Sequence, residues 1–395
     1  MPGPQELIEA IQKQDIDKAR ELLKSEGTIP DNPEDFSNVP VFDILLRTKA
    51  FDIIDIFVDK GLIETDIYEY DNLERSFFDS MFRILGTDEE SIKFIEGLMP
   101  KLSSIDDSVN NKTLLGLALE QKANPAVVEA LITGGCNVTT LNNAENTYLH
   151  QVANNYIPEA ELVTAYTKIL IDNGADVNAA NIVAETPLML ALQRNKKEMA
   201  QVLLENGAAT NDQNKEGKTP YYIVTVDLQS YSLYELLKKF EHPDFDKKTK
   251  DGVSFFFEFL KRTNSSSPST NELLKALIQD GADMFQTSTH YSVEKTPFDV
   301  LAEKPADIFE LVLKESGIDV LHTDNDGNTL LHKVAAYNVN YDQNAARDTY
   351  KKTKLLIELG ADASATNNKD ETALMLASTD NLKSKTVELL LQHNK

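Results

Sequence analysis

Apolar and polar positions along this chain fall into short helical blocks that come in pairs, and the pairs recur. The clearest pair opens at Thr186-Pro187 and runs through Leu188, Met189, Leu190, Ala191 and Leu192. It continues in a second block, Ala200 to Leu204, that stops at Gly207. The same order returns after Thr219-Pro220, Thr296-Pro297 and Thr329-Leu330, with weaker copies at Thr113, Thr147, Ser254 and Thr372. Taking these Thr and Ser residues as register marks, the steps are 34, 39, 33, 35, 42, 33 and 43 residues. A period of about 33 residues is the signature of a stacked array, in which each unit buries its apolar face against its neighbours only.

The residues within a unit have a physical logic. The Thr or Ser hydroxyl can cap free N–H groups at a helix start, and Pro suits the first turn. Paired leucines (Leu203-Leu204, Leu273-Leu274, Leu355-Leu356, Leu389-Leu390) mark a second helix. Gly174, Gly207, Gly281 and Gly360 end it, because glycine accepts the left-handed conformation there. The Asn/Asp-rich stretches that follow predict turns.

These residues resemble the ankyrin repeat, whose pattern is Gly-x-Thr-Pro-Leu-His-x-Ala, then Leu-Leu, then Gly-Ala-Asp-x-Asn. Gly174-Ala175-Asp176-Val177-Asn178 matches its tail, as do Gly281-Ala282-Asp283 and Gly360-Ala361-Asp362. His150 and His332 fall on its histidine position, where the ring is expected to hydrogen-bond neighbouring turns. The resemblance implies an all-α ankyrin-repeat solenoid of about 10–11 helix-turn-helix units with short hairpin-like turns. It is specific over residues 106–395, with insertions near 154–160, 263–270 and 338–348. Over residues 1–105 it is degenerate: a polar-faced cap at 4–24, a copy beginning at Val39-Pro40-Val41 and ending at Gly61, and another within 71–103. A separate small helical domain is the alternative for 1–105.

The resemblance also implies a non-catalytic scaffold that binds a partner protein through its concave face and turn tips. Residue-by-residue transfer assigns to the tips Ile182, Val183 and Glu185; Lys215, Glu216 and Lys218; Ser292, Val293 and Lys295; Asn325, Asp326 and Asn328; and Asn368, Lys369 and Glu371. Residues 219–259 are rich in Tyr and Phe, which reads mainly as a bulky core. Tyr222 and Phe257 are the two expected to emerge from it as partner anchors.

Charge narrows the partner. The chain has 64 acidic and 39 basic residues and a net charge of −25. Such a surface repels phosphate backbones and anionic membrane faces, so neither nucleic acid nor membrane is expected, whereas a basic patch on a protein is. The single cysteine, Cys136, allows no intrachain disulfide and suits a reducing, cytoplasmic setting, with a secreted effector left open. The N-terminal segment reads as an amphipathic helix, not a signal sequence. A monomer is expected.

No catalytic, cofactor or metal signature was found. The Asp324-Asn325-Asp326-Gly327 run lacks the other ligands of a calcium loop, and the six histidines show no metal-ligand spacing. The competing reading is an enzyme or enzyme regulator with a divergent module in 1–105, which predicts clustered ionisable residues in a deep pocket there. Its carboxylates (Glu64, Asp66, Glu69, Asp71, Glu74) read instead as a solvated linker.

Overall fold

The structure is a computed structural model that describes residues 3–25, 28, 29, 40–74 and 76–393. Val39, where the degenerate copy begins, lies outside the described residues. Two compact units are distinguished, residues 1–208 and 209–395.

Unit 1 is a run of helix pairs: α1 (Pro4–Gln12) with α2 (Ile16–Leu22), α3 (Val41–Arg47) with α4 (Phe51–Asp59), and α5 (Phe77–Ile84) with α6 (Glu89–Leu98). It continues with α7 (Leu114–Glu120) and α8 (Pro125–Thr133), α9 (Tyr148–Asn154) and α10 (Ala160–Asp172), α11 (Pro187–Gln193) and α12 (Lys197–Glu205). First helices pack in the series α1, α3, α5, α7, α9, α11, and second helices in the series α6, α8, α10, α12. Each pair therefore leans on its sequence neighbours, and the unit is two layers of helices without a central core.

Unit 2 repeats the plan. Its pairs are α13 (Pro220–Tyr222, extended by a π-helical turn Ile223–Asp227) with α14 (Tyr231–Lys238), α15 (Phe255–Arg262) with α16 (Pro268–Gln279), and α17 (Pro297–Leu301) with α18 (Ala306–Ser316). α19 (Leu330–Ala336) pairs with α20 (Gln343–Glu358), and α21 (Ala373–Ala377) with α22 (Ser384–His393). The one sheet among the described residues is a hairpin, β1 (Ser288–His290) and β2 (Val293–Lys295), with tip residues Tyr291 and Ser292 at positive φ. No described helix is long and apolar enough to cross a membrane.

Every register mark caps a first helix. The side-chain oxygens of Thr113, Thr147, Thr186, Thr219, Ser254, Thr296, Thr329 and Thr372 each accept the N–H three residues on. His150 and His332 add to this. Each Nδ1 sits 3.2 Å from the cap N–H, while Nε2 of His150 reaches the Glu185 carbonyl at 2.8 Å and that of His332 the Glu371 carbonyl at 3.1 Å. The ring thus ties one turn to the next, as expected. Burial lowers the His150 ring pKa below its ordinary value.

One bonding element was not legible in the sequence. The ends of first helices leave carbonyls without intrahelical partners, and buried or half-buried side chains of the next pair reach back to cap that region. Lys196 Nζ donates to the Val152 and Asn155 carbonyls at 2.6 and 2.7 Å, and Lys304 Nζ to Lys261 at 2.6 Å. Lys352 reaches Ala302 and Lys304 at 2.7 and 2.9 Å, and Lys383 reaches Ala335 at 2.8 Å. Tyr166 does the same to Ala123 through its hydroxyl. Burial pushes the ammonium groups of Lys196, Lys304 and Lys352 down to about 8.

Candidate partner-binding faces

Five of the turns that precede first helices share one local design. In each, an Asn or Asp side chain accepts two backbone N–H groups: Asn142 from Ala144 and Asn146, Asn181 from Val183 and Glu185, and Asn214 from Glu216 and Lys218. Asp324 does so from Asp326 and Asn328, and Asn367 from Lys369 and Glu371, all at 2.8–3.0 Å. This Asx closure holds the intervening residues outward on a stiff backbone. Within a unit, turns also bond to one another: Ile182 N–H to Ala144 O at 3.0 Å, Lys250 to Glu216 at 2.8 Å, Asn368 to Asp326 at 2.9 Å. Such turns present their tips with little conformational freedom left to lose on binding.

In unit 1 the tips are apolar. Leu141, Ile182 and Val183 are 53%, 49% and 45% exposed. Glu185 is half-buried and accepts a hydrogen bond from Gln193 at 3.0 Å. Below Leu141 lies a groove of about 280 Å³ along α7 and α9, lined largely by amides and hydroxyls, among them Asn111, Thr140, Asn142, Asn154 and Asn155. Gly116 helps to form it: a Cβ there would come within 3.3 Å of the Gln151 amide oxygen and 3.5 Å of the Tyr148 ring.

In unit 2 the tips are charged. Glu216, Lys218 and Tyr222 come together in a cleft of about 420 Å³ with Lys250, Glu258 and Arg262. Lys218 Nζ lies 3.3 Å from Glu216 and 3.6 Å from Asp227, and Arg262 Nε lies 2.7 Å from Glu258. A second cleft, about 280 Å³, unites Asp326, Asn328, Asn368, Lys369 and Glu371 with His332 and Lys333. Lys333 is bound between Asp299, at 2.8 Å, and Asp324. Burial opposes charge on all three, but the pairing outweighs it: the lysine is held above its ordinary range and both carboxyls below theirs. Lys215 and Asn325 are exposed on their turns outside these clefts. Ser292 and Val293 are exposed at the β1–β2 hairpin, beside Tyr291 at 90% exposure, and Lys295 is half-buried 3.7 Å from Glu303.

The two aromatic anchors require correction. Phe257 is 0% exposed and Tyr222 only 7%. Phe257 follows the Ser254 cap on the face of α15 that enters the core, so no partner can reach it. Tyr222 shows an edge to its cleft, with Lys218 Nζ 5.3 Å from the ring centroid, and burial pushes its phenol up to about 12. The aromatic cluster is core: Tyr221 meets Tyr234 edge-on, and Phe245 stacks on Phe255. Arg262, Glu258, Lys250 and Lys333 are face residues that the transfer missed. The helix period, applied from the Ser254 and Thr329 caps, would have exposed Glu258, Arg262 and Lys333 as the polar members of apolar helices.

Two of the carboxylates of 64–74 serve the backbone and a third forms an ion pair. Glu64 accepts from Thr65 and Asp66, Asp66 from Tyr68, and Glu74 pairs with Lys112. The segment His242–Asp246 stands where other units carry Gly-Ala-Asp-x-Asn, and the structure binds it accordingly. Asn211 donates to the His242 carbonyl at 2.9 Å, the counterpart of Asn178 donating to Gly207 at 3.0 Å.

Residues 160–251 match the family model for ankyrin repeats in three copies. Among solved structures, the chain is similar to the ankyrin repeat domain of Bcl-3, titled a unique member of the IkappaB protein family. The identity is 19% and the TM-score 0.47, over 61% of this chain and 98% of that one. It is also similar to the ankyrin repeat domain of human ASB11, at 22% identity and a TM-score of 0.43, over 63% of this chain and 99% of that one. No curated protein matches the chain. Ankyrin repeats are generally protein–protein interaction modules and typically non-catalytic. In a chain with eight capped first helices and two histidines bridging successive turns, residues 160–251 are thus recognised as three ankyrin repeats.

Proposed function

We propose that the chain is a non-catalytic scaffold that holds a partner protein on the faces made by its turn tips and first helices. One observation carries this reading: the outward residues are mounted on turns closed by Asx hydrogen bonds and bonded to their neighbours, so a large contact face is organised before the partner arrives. Three large apolar residues, Leu141, Ile182 and Val183, are left half in water on adjacent turns with no core to fill. In unit 2 the clefts are lined by ion pairs, which suit selection of register more than raw affinity. The partner carries an apolar segment for the first tips and a basic patch that the net charge of −25 attracts. Residues 1–105 belong to the array as degenerate repeats, and the chain works as a monomer in the cytoplasm.

A photo-crosslinking residue placed at Val183 tests this in cells of the source, against the same residue placed at the exposed Lys168 of α10. A stoichiometric protein adduct at Val183 and none at Lys168 is expected. Equal adducts at both, or none at either, overturns the reading.

A further inference from the structure

We propose that the insert at residues 154–158 builds a second docking site in unit 1, one that takes an acidic peptide segment of a partner protein. The insert joins α9 to α10 and forms one wall of a cleft of about 450 Å³ whose opposite side is Arg194, Asn195 and Lys196. Three consecutive residues of the insert are each touched by a different cation. Arg194 Nε lies 3.4 Å from the Asn154 side-chain oxygen, Lys196 Nζ lies 2.7 Å from the Asn155 carbonyl, and Lys122 Nζ lies 5.7 Å from the Tyr156 ring centroid.

No carboxylate neutralises these cations, as is also true among the described residues of Lys18, Lys24, Arg47, Lys60, Lys168 and Lys197 in unit 1; what sets the three apart is that they converge on one insert. Unit 1 holds 35 acidic and 17 basic residues, and its cations elsewhere commonly take carboxylates: Arg20 with Asp52, Lys49 with Asp88, Arg83 with Asp79, Lys101 with Asp55, Lys112 with Glu74. Among the described residues no carboxylate lies within 4.0 Å of Lys122, Arg194 or Lys196. Glu198 lines the same cleft without pairing to any of them. Lys196 is spent on two carbonyls, which leaves Arg194 and Lys122 on either side of the insert as the groups for an incoming anion.

The remaining surface fits a peptide better than a free ion. Tyr156 is 85% exposed and offers a planar face, while Ile157 and Val163, 7% and 3% exposed, form an apolar part of the wall. Polyanionic nucleic acid is disfavoured, because counterion release needs rows of free cations and only two are free here. The net charge of −25 does not forbid an acidic segment: at physiological salt the far field is damped over about 8 Å, while contacts with Arg194 survive.

The test is fluorescence anisotropy of dye-labelled acetyl-pentaglutamate amide with the full chain, with an otherwise identical pentalysine peptide as control. Saturable binding of pentaglutamate is expected. Arg194→Glu and Lys122→Glu should each weaken it roughly tenfold, Arg194→Lys only slightly, and Lys60→Glu, at the exposed end of α4, not at all. Unchanged circular dichroism shows that the variants remain folded, as surface positions should. No saturable binding, binding indifferent to Arg194→Glu, or equal binding of pentalysine overturns the proposal. Loss of the tip adduct at Val183 with pentaglutamate binding intact would sink the scaffold reading and leave this one standing.

Discussion

Gly217→Ala puts the largest demand on the turn architecture and separates two energies that are usually merged. Gly217 has φ of 75°, and a Cβ there would stand 2.7 Å from the Lys250 nitrogen and 2.8 Å from the Thr249 carbonyl carbon and Cα. Those are backbone atoms of the stacked turn and cannot swing aside. Gly360 has φ of 93° but nothing within 4 Å of its Cβ position. An alanine at Gly360 therefore incurs only the left-handed conformation, about 1 kcal/mol. At Gly217 the same cost is joined by displacement of the 249–253 turn and loss of the Lys250 N–H bond to Glu216, a further ~1–2 kcal/mol. The total is about 2–3 kcal/mol. Glu145, Ala184 and Asp370 occupy the same turn position with φ of 58–59°, so the turn tolerates a Cβ when it is built around one. The cost at Gly217 is that of rebuilding it. Urea unfolding followed by circular dichroism gives the global difference, and hydrogen exchange of the Lys250 amide gives the local one. If Gly217→Ala costs no more than Gly360→Ala, or if the Lys250 amide keeps its protection, turn stacking does not hold this face together.

Three further outcomes follow from the structure. Lys352→Ala should lower stability by about 2–4 kcal/mol, because it strands the buried carbonyls of Ala302 and Lys304; a change below 0.5 kcal/mol in urea unfolding would refute it. Stability should rise with pH from about 8, because Lys196, Lys304 and Lys352, held near 8 when folded against an ordinary 10.5, bind fewer protons than in the unfolded chain. Above about pH 10 it should fall, since Tyr148 and Tyr222, pushed up to about 12, keep protons that the unfolded chain releases. A monotonic fall in melting temperature from pH 7 to pH 10 would contradict this. Cys136, 4% exposed with its thiol pushed up to about 12, should stay silent to a thiol-reactive disulfide reagent at pH 8 until denaturant is added; stoichiometric reaction in the native protein would refute it.

Local chemistry was legible in the sequence where it is set within a few residues or repeats at a fixed period. The capping hydroxyls at Thr186, Thr219 and Thr329, the bridging His150 and His332, and the turn tips are of this kind, because hydrogen bonds three residues away and one period away recur in the chain itself. Broken steps in the period were visible as well, but not the contacts that the residues there make. Three things were decided only in three dimensions. Phe257 went inward and Glu258 outward because the apolar stripe of α15 must face its neighbours, a matter of helix rotation that composition does not reveal. Lys196, Lys304, Lys352 and Lys383 became interior caps because the carbonyls they satisfy lie in the preceding helix pair, and nothing periodic announces a partner 41 to 50 residues away. The unpaired state of Arg194 and Lys122 likewise depends on which carboxylates failed to arrive. A residue's type states what it can bond; packing decides which bonds remain open.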